Sequence, residues 1–139
     1  MSATDSNITE NIKMLREKEK HEPIAGFLGL KLVEFSEGYA KVTLKMRPEY
    51  INFNGMVFGG IVMAAADQAF AYATNSMLSP NLAVQFNIHL IAAAAVGDEL
   101  TAECRVAKSG RRISVSEMTV TNQEGRLVAK ATGTTLFTG

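Results

Sequence analysis

From Gly59 to Ser76 the chain reads GGIVMAAADQAFAYATNS, a run that predicts a helix over 60–76 with apolar side chains on nearly every face. A helix with one apolar stripe lies on a surface, whereas a helix apolar all round is buried all round. The longest apolar stretch, from Gly59 to Ala73, is too short for a comfortable membrane span and is broken by Asp67 and Gln68. The wrapping therefore has to come from protein, and the rest of the chain must supply it.

The flanking segments have the pattern to do so. Ala40, Val42, Leu44 and Met46 alternate with Lys41, Thr43 and Lys45, the period-two signature of a half-buried strand. Ser36-Glu37-Gly38 supplies a turn before it, so 32–35 reads as its hairpin partner. Pro48 ends that strand, and a loop over 49–57 leads to the helix. Further strands are predicted at 82–90, 99–109, 112–121 and 127–137, separated by turns at Val96-Gly97-Asp98, Ser109-Gly110 and 122–125. Ahead of all this, Asp5 or Ser6 can cap a helix running to about Lys20, with Ile8, Ile12 and Leu15 forming one apolar stripe. The order is α+β, and one antiparallel sheet curled around one long helix is the economical arrangement.

Charge and composition narrow the function. Fourteen basic and fourteen acidic residues cancel, which argues against nucleic acid as a partner and favours self-association. The polar N-terminal stretch has no apolar signal core, so a cytoplasmic protein with no membrane partner is expected. One cysteine and two histidines make no metal-ligand set, and no cofactor is expected. Cys104 alternates with Leu100, Ala102 and Val106 and reads as core filler, the usual fate of a free cysteine.

Two features of the central segment call for a chemical reason. The first is Gly59-Gly60 at the predicted helix start. A helix N-terminus leaves backbone N–H groups unpaired and partly positive, and glycine lets a ligand come close. The pair fits an oxyanion site, and it also fits a tight turn. The second is Asp67, in the most apolar helix of the chain, with no lysine or arginine between Arg47 and Arg105 to neutralise it. A lone carboxylate is costly to bury, so it needs partners or a raised pKa. It is either a functional acid or a carboxylate satisfied by hydroxyls or backbone N–H groups at a subunit interface. Asp67 follows Gly59 by eight residues, about 12 Å along a helix axis. One carbonyl cannot touch both in one chain. A second copy of the helix, antiparallel across a two-fold axis, brings Asp67 of one chain near Gly59 of the other.

The run Asn52-Phe53-Asn54-Gly55-Met56-Val57-Phe58-Gly59-Gly60, with Asp67 after a six-residue spacer, resembles the phenylacetate-degradation-type (PaaI-like) hotdog thioesterases. Those typically read asparagine, glycine, His-Gly-Gly and then a helical aspartate. Gly97-Asp98-Glu99-Leu100, Ser109-Gly110-Arg111-Arg112 and Gly125-Arg126-Leu127-Val128-Ala129 continue the likeness. It divides the chain into an N-terminal helical extension, 1–25, and a hotdog domain, 26–139. The resemblance implies a hotdog fold, a homodimer or tetramer of paired dimers, and hydrolysis of an acyl-CoA thioester to a free acid and coenzyme A, the latter being part of the substrate. It assigns the Gly59 N–H to the carbonyl, Asp67 of the partner chain to the role of nucleophile or general base, Thr74 to water placement, and Asn52 to the vicinity of the reacting carbonyl. Gly60, Met56, Phe58, Met63 and Phe86 are candidate substrate contacts, the last four as lining for the acyl group. Lys108, Arg111 and Arg112 are candidates for the coenzyme A phosphates, or equally a solvated hairpin tip.

Two positions depart from the family pattern. The histidine before Gly-Gly is Phe58, which cannot donate to a carbonyl, and a serine found in some relatives is Ala83. His89 lies on a predicted strand and reads as a surface or interface residue. The loss of the histidine keeps open a non-catalytic acyl-CoA binding module. A hydratase or dehydratase, also built on hotdog folds, usually needs a histidine as acid or base, and none lies near Gly59.

Overall fold

The period-two segments pair into one six-stranded antiparallel sheet in the order β1-β2-β4-β5-β6-β3. The computed structural model describes residues 3–139, with side chains described from Asn7 onward. Two helices, α1 (Ala3–Glu19) and α2 (Pro23–Leu28), precede the hairpin β1 (Lys31–Ser36) and β2 (Tyr39–Lys45). The long helix α3 (Gly59–Met77) follows, and then β3 (Asn81–Leu90), β4 (Glu99–Ser109), β5 (Ile113–Thr121) and β6 (Leu127–Phe137). The expected architecture is the observed one, with α3 one residue longer at each end than predicted. Asp5 and Ser6 lie inside α1, which begins at Ala3, so neither is its cap. Because α2 spans 23–28, the N-terminal extension runs into the domain through a helix.

The concave face of the sheet carries the core. Val42, Leu44, Leu100, Ala102, Met118, Val120, Ala129 and Ala131 are buried there, as are Val62, Ala65, Ala66, Ala69, Phe70 and Ala73 of α3. The run of alanines lets the helix axis approach the strands closely. The bulky Phe70 ring is accommodated by Gly133 of β6, where a Cβ would stand 2.5 Å from the ring. Cys104 sits in this core with its thiol pushed up to about 12 by burial, as a packing residue should. From the other side α1 lies on α3, with Ile8 buried and Ile12 and Leu15 packed on the core.

The expectation that α3 is buried all round fails on one stripe. Met63, Asp67 and Ala71, spaced at i, i+4 and i+8, are exposed in the single chain. The sheet curls around only part of a helix, and α1 covers another part, so one strip is left over. The edge strand beside it is equally bare: Leu82, Val84, Leu90 and the following Ile91 are each more than half exposed. Among the described residues no helix is long and apolar enough to cross a membrane.

Candidate active site

The N-terminus of α3 is set by the loop that precedes it. An isolated bridge joins Ile51 to Val57. Between them the Asn52 side-chain oxygen accepts the N–H groups of Asn54 (2.9 Å) and Met56 (3.2 Å). The Asn52 N–H donates to the Met56 carbonyl at 2.7 Å, and the Phe58 N–H donates to the Tyr50 carbonyl at 2.8 Å. Gly55, with φ of 74°, closes the turn in a conformation that glycine adopts freely. Asn52 therefore shapes the loop with its oxygen, which leaves its Nδ2 free to donate elsewhere.

This scaffold delivers Phe58 in an extended conformation and offers no side-chain cap to the helix. The first-turn N–H groups at Gly59 and Gly60 have no intrahelical acceptor and carry the positive end of a 19-residue helix. The two glycines are small for different reasons. A Cβ at Gly59 would come within 2.9 Å of Leu90 Cδ1, whereas a Cβ at Gly60 would run into the Phe58 ring. Phe58 thus lies over Gly60, beside the free N–H groups, and is 56% exposed.

Asp67 stands on the bare stripe of α3. Burial by its surroundings raises its carboxyl above the ordinary value of 3.8, and no hydrogen bond or neighbouring cation opposes that shift. In the single chain the residue is still accessible to water, so its surroundings strip only part of its hydration. Its neighbour Gln68 is engaged. Gln68 Nε2 donates to Glu22 Oε1 at 2.6 Å, and the Tyr72 hydroxyl donates to the same oxygen at 2.9 Å. Burial first, and then the Glu22 carboxylate, raise the Tyr72 hydroxyl pKa. Sequence reasoning missed this latch. Gln68 and Tyr72 are a polar i, i+4 pair on an apolar helix, a signal that was present, but their partner is 46 residues from the first of them.

The other candidates separate. Met56, Phe58 and Met63 are exposed around the start of α3. Phe86 instead turns inward against Phe70, with ring centroids 5.8 Å apart, and belongs to the core packing rather than to an open pocket. Thr74 is buried and donates its hydroxyl to the Phe70 carbonyl at 2.9 Å, so its oxygen can only accept from a further group. Lys108, Arg111 and Arg112 lie at the exposed tip of the β4–β5 hairpin. That tip adjoins the start of β3, since the Arg112 carbonyl accepts the N–H of Phe137, which pairs with Asn81. The start of β3 lies just past the end of α3, about 27 Å along the axis from Gly59. Within one chain the basic cluster and the first-turn N–H groups of Gly59 and Gly60 are not brought together. His89 is exposed, opposite Lys130.

The chain's similarities bear on its family and fold. Residues 54–129, which contain the loop end, α3 and most of the sheet, match the profile of the Thioesterase superfamily. The chain belongs to the Thioesterase superfamily. Its hotdog fold is that of the Escherichia coli PaaI protein of the phenylacetic acid degradation operon, with a TM-score of 0.87 at 28% identity over 99% of this chain and 97% of that one. In sequence it is 31% identical over 110 residues to the acyl-coenzyme A thioesterase PaaI of E. coli K12, covering 79% of each chain. It is 23% identical over 133 residues to human acyl-coenzyme A thioesterase 13, covering 94% of each. A Streptococcus mutans UA159 protein, solved bound to acetyl CoA, matches with a TM-score of 0.76 at 31% identity over 79% of this chain and 89% of that one. This thioesterase-superfamily chain is an enzyme of the PaaI-like type.

Phe58→His tests the departure from the PaaI-like pattern. The side chain projects beside the free N–H groups, so an imidazole there gains a donor at little packing cost. The expected result is a higher kcat on a good substrate, by about tenfold for one added hydrogen bond of roughly 1.4 kcal/mol. Steady-state kinetics decides it: unchanged kcat and KM place position 58 outside the chemistry, and a raised KM alone marks Phe58 as a packing contact for substrate.

Proposed function

We propose that this protein hydrolyses acyl-CoA thioesters at sites shared between two copies of the chain. The observation that carries the proposal is the bare stripe of α3. It bears an unneutralised carboxylate about 12 Å along the helix from a set of free backbone N–H groups, beside an uncovered apolar edge strand. Unpaired edge strands that expose large apolar side chains invite pairing. Joining β3 to β3 across a two-fold axis covers Leu82, Val84 and Leu90 and lays the two α3 helices antiparallel. Asp67 then approaches the partner's Gly59. The Lys108–Arg112 tip of one chain comes to the same end of the assembly as the partner's Gly59, where the phosphates of coenzyme A would lie. The names of the relatives and the bound acetyl CoA of the S. mutans protein support this substrate class.

In such a site the thioester carbonyl oxygen accepts the Gly59 N–H, which stabilises the charge that develops on that oxygen. Asp67 either attacks the carbonyl carbon, giving an anhydride that water then opens, or removes a proton from an attacking water. In both cases the C–S bond breaks and the coenzyme A thiolate leaves and takes up a proton. An activated water puts its oxygen into the acid directly, whereas water opening the anhydride at the Asp67 carboxyl carbon puts its oxygen into Asp67 and sends an Asp67 oxygen out with the acid. Oxygen-18 from solvent appearing in Asp67 after a single turnover marks the anhydride route. Asn52 Nδ2 is a second donor on the carbonyl side, and Thr74 acts through its accepting oxygen. A tetramer of paired dimers and a cytoplasmic location fit this reading.

A panel of acetyl-, aryl- and long-chain acyl-CoA substrates with a free-thiol readout tests it. At least one class is expected to release thiol with kcat near the usual enzymatic range of about 1–1000 s⁻¹. Acyl-CoA binding with no thiol release from any of them would replace the enzyme reading with a binding module.

A further inference from the structure

Glu22 is carried by a stiff piece of chain between α1 and α2. Its carbonyl accepts the Gly26 N–H at 3.2 Å, and its backbone is extended ahead of Pro23, the conformation that a following proline favours. Its side chain does not cap α2. Instead Oε1 accepts Gln68 Nε2 at 2.6 Å and the Tyr72 hydroxyl at 2.9 Å. Among the described residues this half-buried carboxylate forms no ion pair, so what holds it is α3.

Two donors one turn apart converge on one oxygen, which fixes both the rotation of α3 and its position along its axis. The helix presents Ala65, Ala66, Ala69 and Ala73 to the core, and ridges made of alanine are shallow, so they resist rotation weakly. Phe70, seated in the space at Gly133, pins that side. At about 100° per residue, Gln68 and Tyr72 lie on the face opposite Phe70, and the bare stripe that bears Asp67 lies between the two. The direction of Asp67 is therefore set by both grips. A rotation of about 10° moves a group about 5–6 Å from the helix axis by about 1 Å, and a misplacement of that size can slow a reaction about 100-fold.

We propose that Glu22 is a positioning residue for thioester hydrolysis: acting through Gln68 and Tyr72, it aims the Asp67 carboxylate. The inference rests on the thioesterase reading above. Glu22 lies outside residues 54–129, so the segment ahead of β1 becomes part of the working enzyme.

The test measures kcat and KM for the full-length wild type, Glu22→Ala, Glu22→Gln and Tyr72→Phe on the best substrate of the acyl-CoA panel. Glu22→Ala removes the acceptor and is expected to lower kcat by about 10- to 100-fold while KM stays within about twofold. Glu22→Gln keeps a carbonyl oxygen in the same place and is expected to stay within about threefold of wild type. Tyr72→Phe loses one donor, keeps its ring against Phe35, and is expected to lower kcat about threefold or more. A smaller loss in folded Glu22→Ala, a change confined to KM, or a Glu22→Gln variant no faster than Glu22→Ala overturns the proposal. So does a fall in mass by light scattering, because the loss would then come through assembly. Where Glu22→Ala does not fold by circular dichroism, Tyr72→Phe decides, and a kcat loss below about threefold overturns the proposal. If the wild-type chain releases thiol from no substrate, the thioesterase reading has failed, and the carbon-13 resonance of the Asp67 carboxyl decides separately whether Glu22 aims that group. It is expected to shift in Glu22→Ala and to stay in place in Glu22→Gln. A resonance unmoved in Glu22→Ala, or moved equally in both variants, overturns the assignment.

Discussion

Asp67→Asn is expected to lower kcat by about 10²- to 10⁴-fold, the range contributed by a positioned acid–base group, while the chain keeps its fold. The amide has the shape of the carboxylate but neither attacks a carbonyl nor accepts a proton well. Retention of more than about a tenth of the wild-type rate, a barrier difference of only ~1.4 kcal/mol, would remove Asp67 from the chemistry. The same substitution has a thermodynamic signature whose sign follows from the raised pKa. The folded state prefers the protonated carboxyl, because burial raises its pKa above the unfolded value near 3.8. As pH climbs from 3.8 through the raised value, the wild-type protein loses stability that the variant does not lose. Asp67→Asn should therefore melt higher than wild type at neutral pH, and the gap should close as pH falls below that window. A lower melting temperature at neutral pH would show that the assembled protein gives the carboxylate a stabilising partner. The pH–rate profile follows the same group in the opposite sense: activity requires the ionised form, so kcat/KM should rise with pH through a carboxylate pKa above the usual range.

A mixed dimer of Asp67→Ala and Gly59→Pro chains should recover up to half of wild-type activity per dimer, although each homodimer is inactive. Proline removes the Gly59 N–H. Position 59 opens α3, and the extended conformation of Phe58 suits a following proline. The obstacle is Leu90 Cδ1, 2.9 Å from where a Cβ would stand, and it is the end of a flexible side chain that can shift. In homodimers every site lacks either its carboxylate or its oxyanion donor. In the mixed dimer one site carries both lesions and the other carries neither. Co-expression with different tags, tandem purification and a thiol-release assay measure the recovery, with light scattering to establish that all three species are dimers or larger and circular dichroism to establish that they are folded. A folded mixed dimer as inactive as its parents would show that Gly59 and Asp67 do not meet across an interface. A folded monomer at micromolar concentration would defeat the shared site altogether.

Much of this protein was written in patterns of short range. The alternation from Ala40 to Met46 specifies β2 because side-chain direction in a strand depends only on adjacent residues. The start of α3 at Gly59 and the absence of a cation near Asp67 are likewise local properties of the chain. For Asp67 the sequence left either partners or a raised pKa open, and the folded structure, where burial is the cause, gives the raised direction. What the patterns could not contain was the result of long-range packing. Helical periodicity described α3 as apolar all round, but which stripe stays bare depends on how far the sheet curls and where α1 lands. Phe86 reads as a pocket residue in sequence, and only the fold brings it against Phe70, whose ring fills the space left by Gly133, the residue paired with Phe86 across the strands. Lys108, Arg111 and Arg112 are one cluster in sequence, and only strand order puts them at the far end of α3 from Gly59. The Glu22 latch joins residues 46 and 50 positions apart. No local rule selects such a contact, because the cost of closing so long a loop is recovered only when the whole core forms around it.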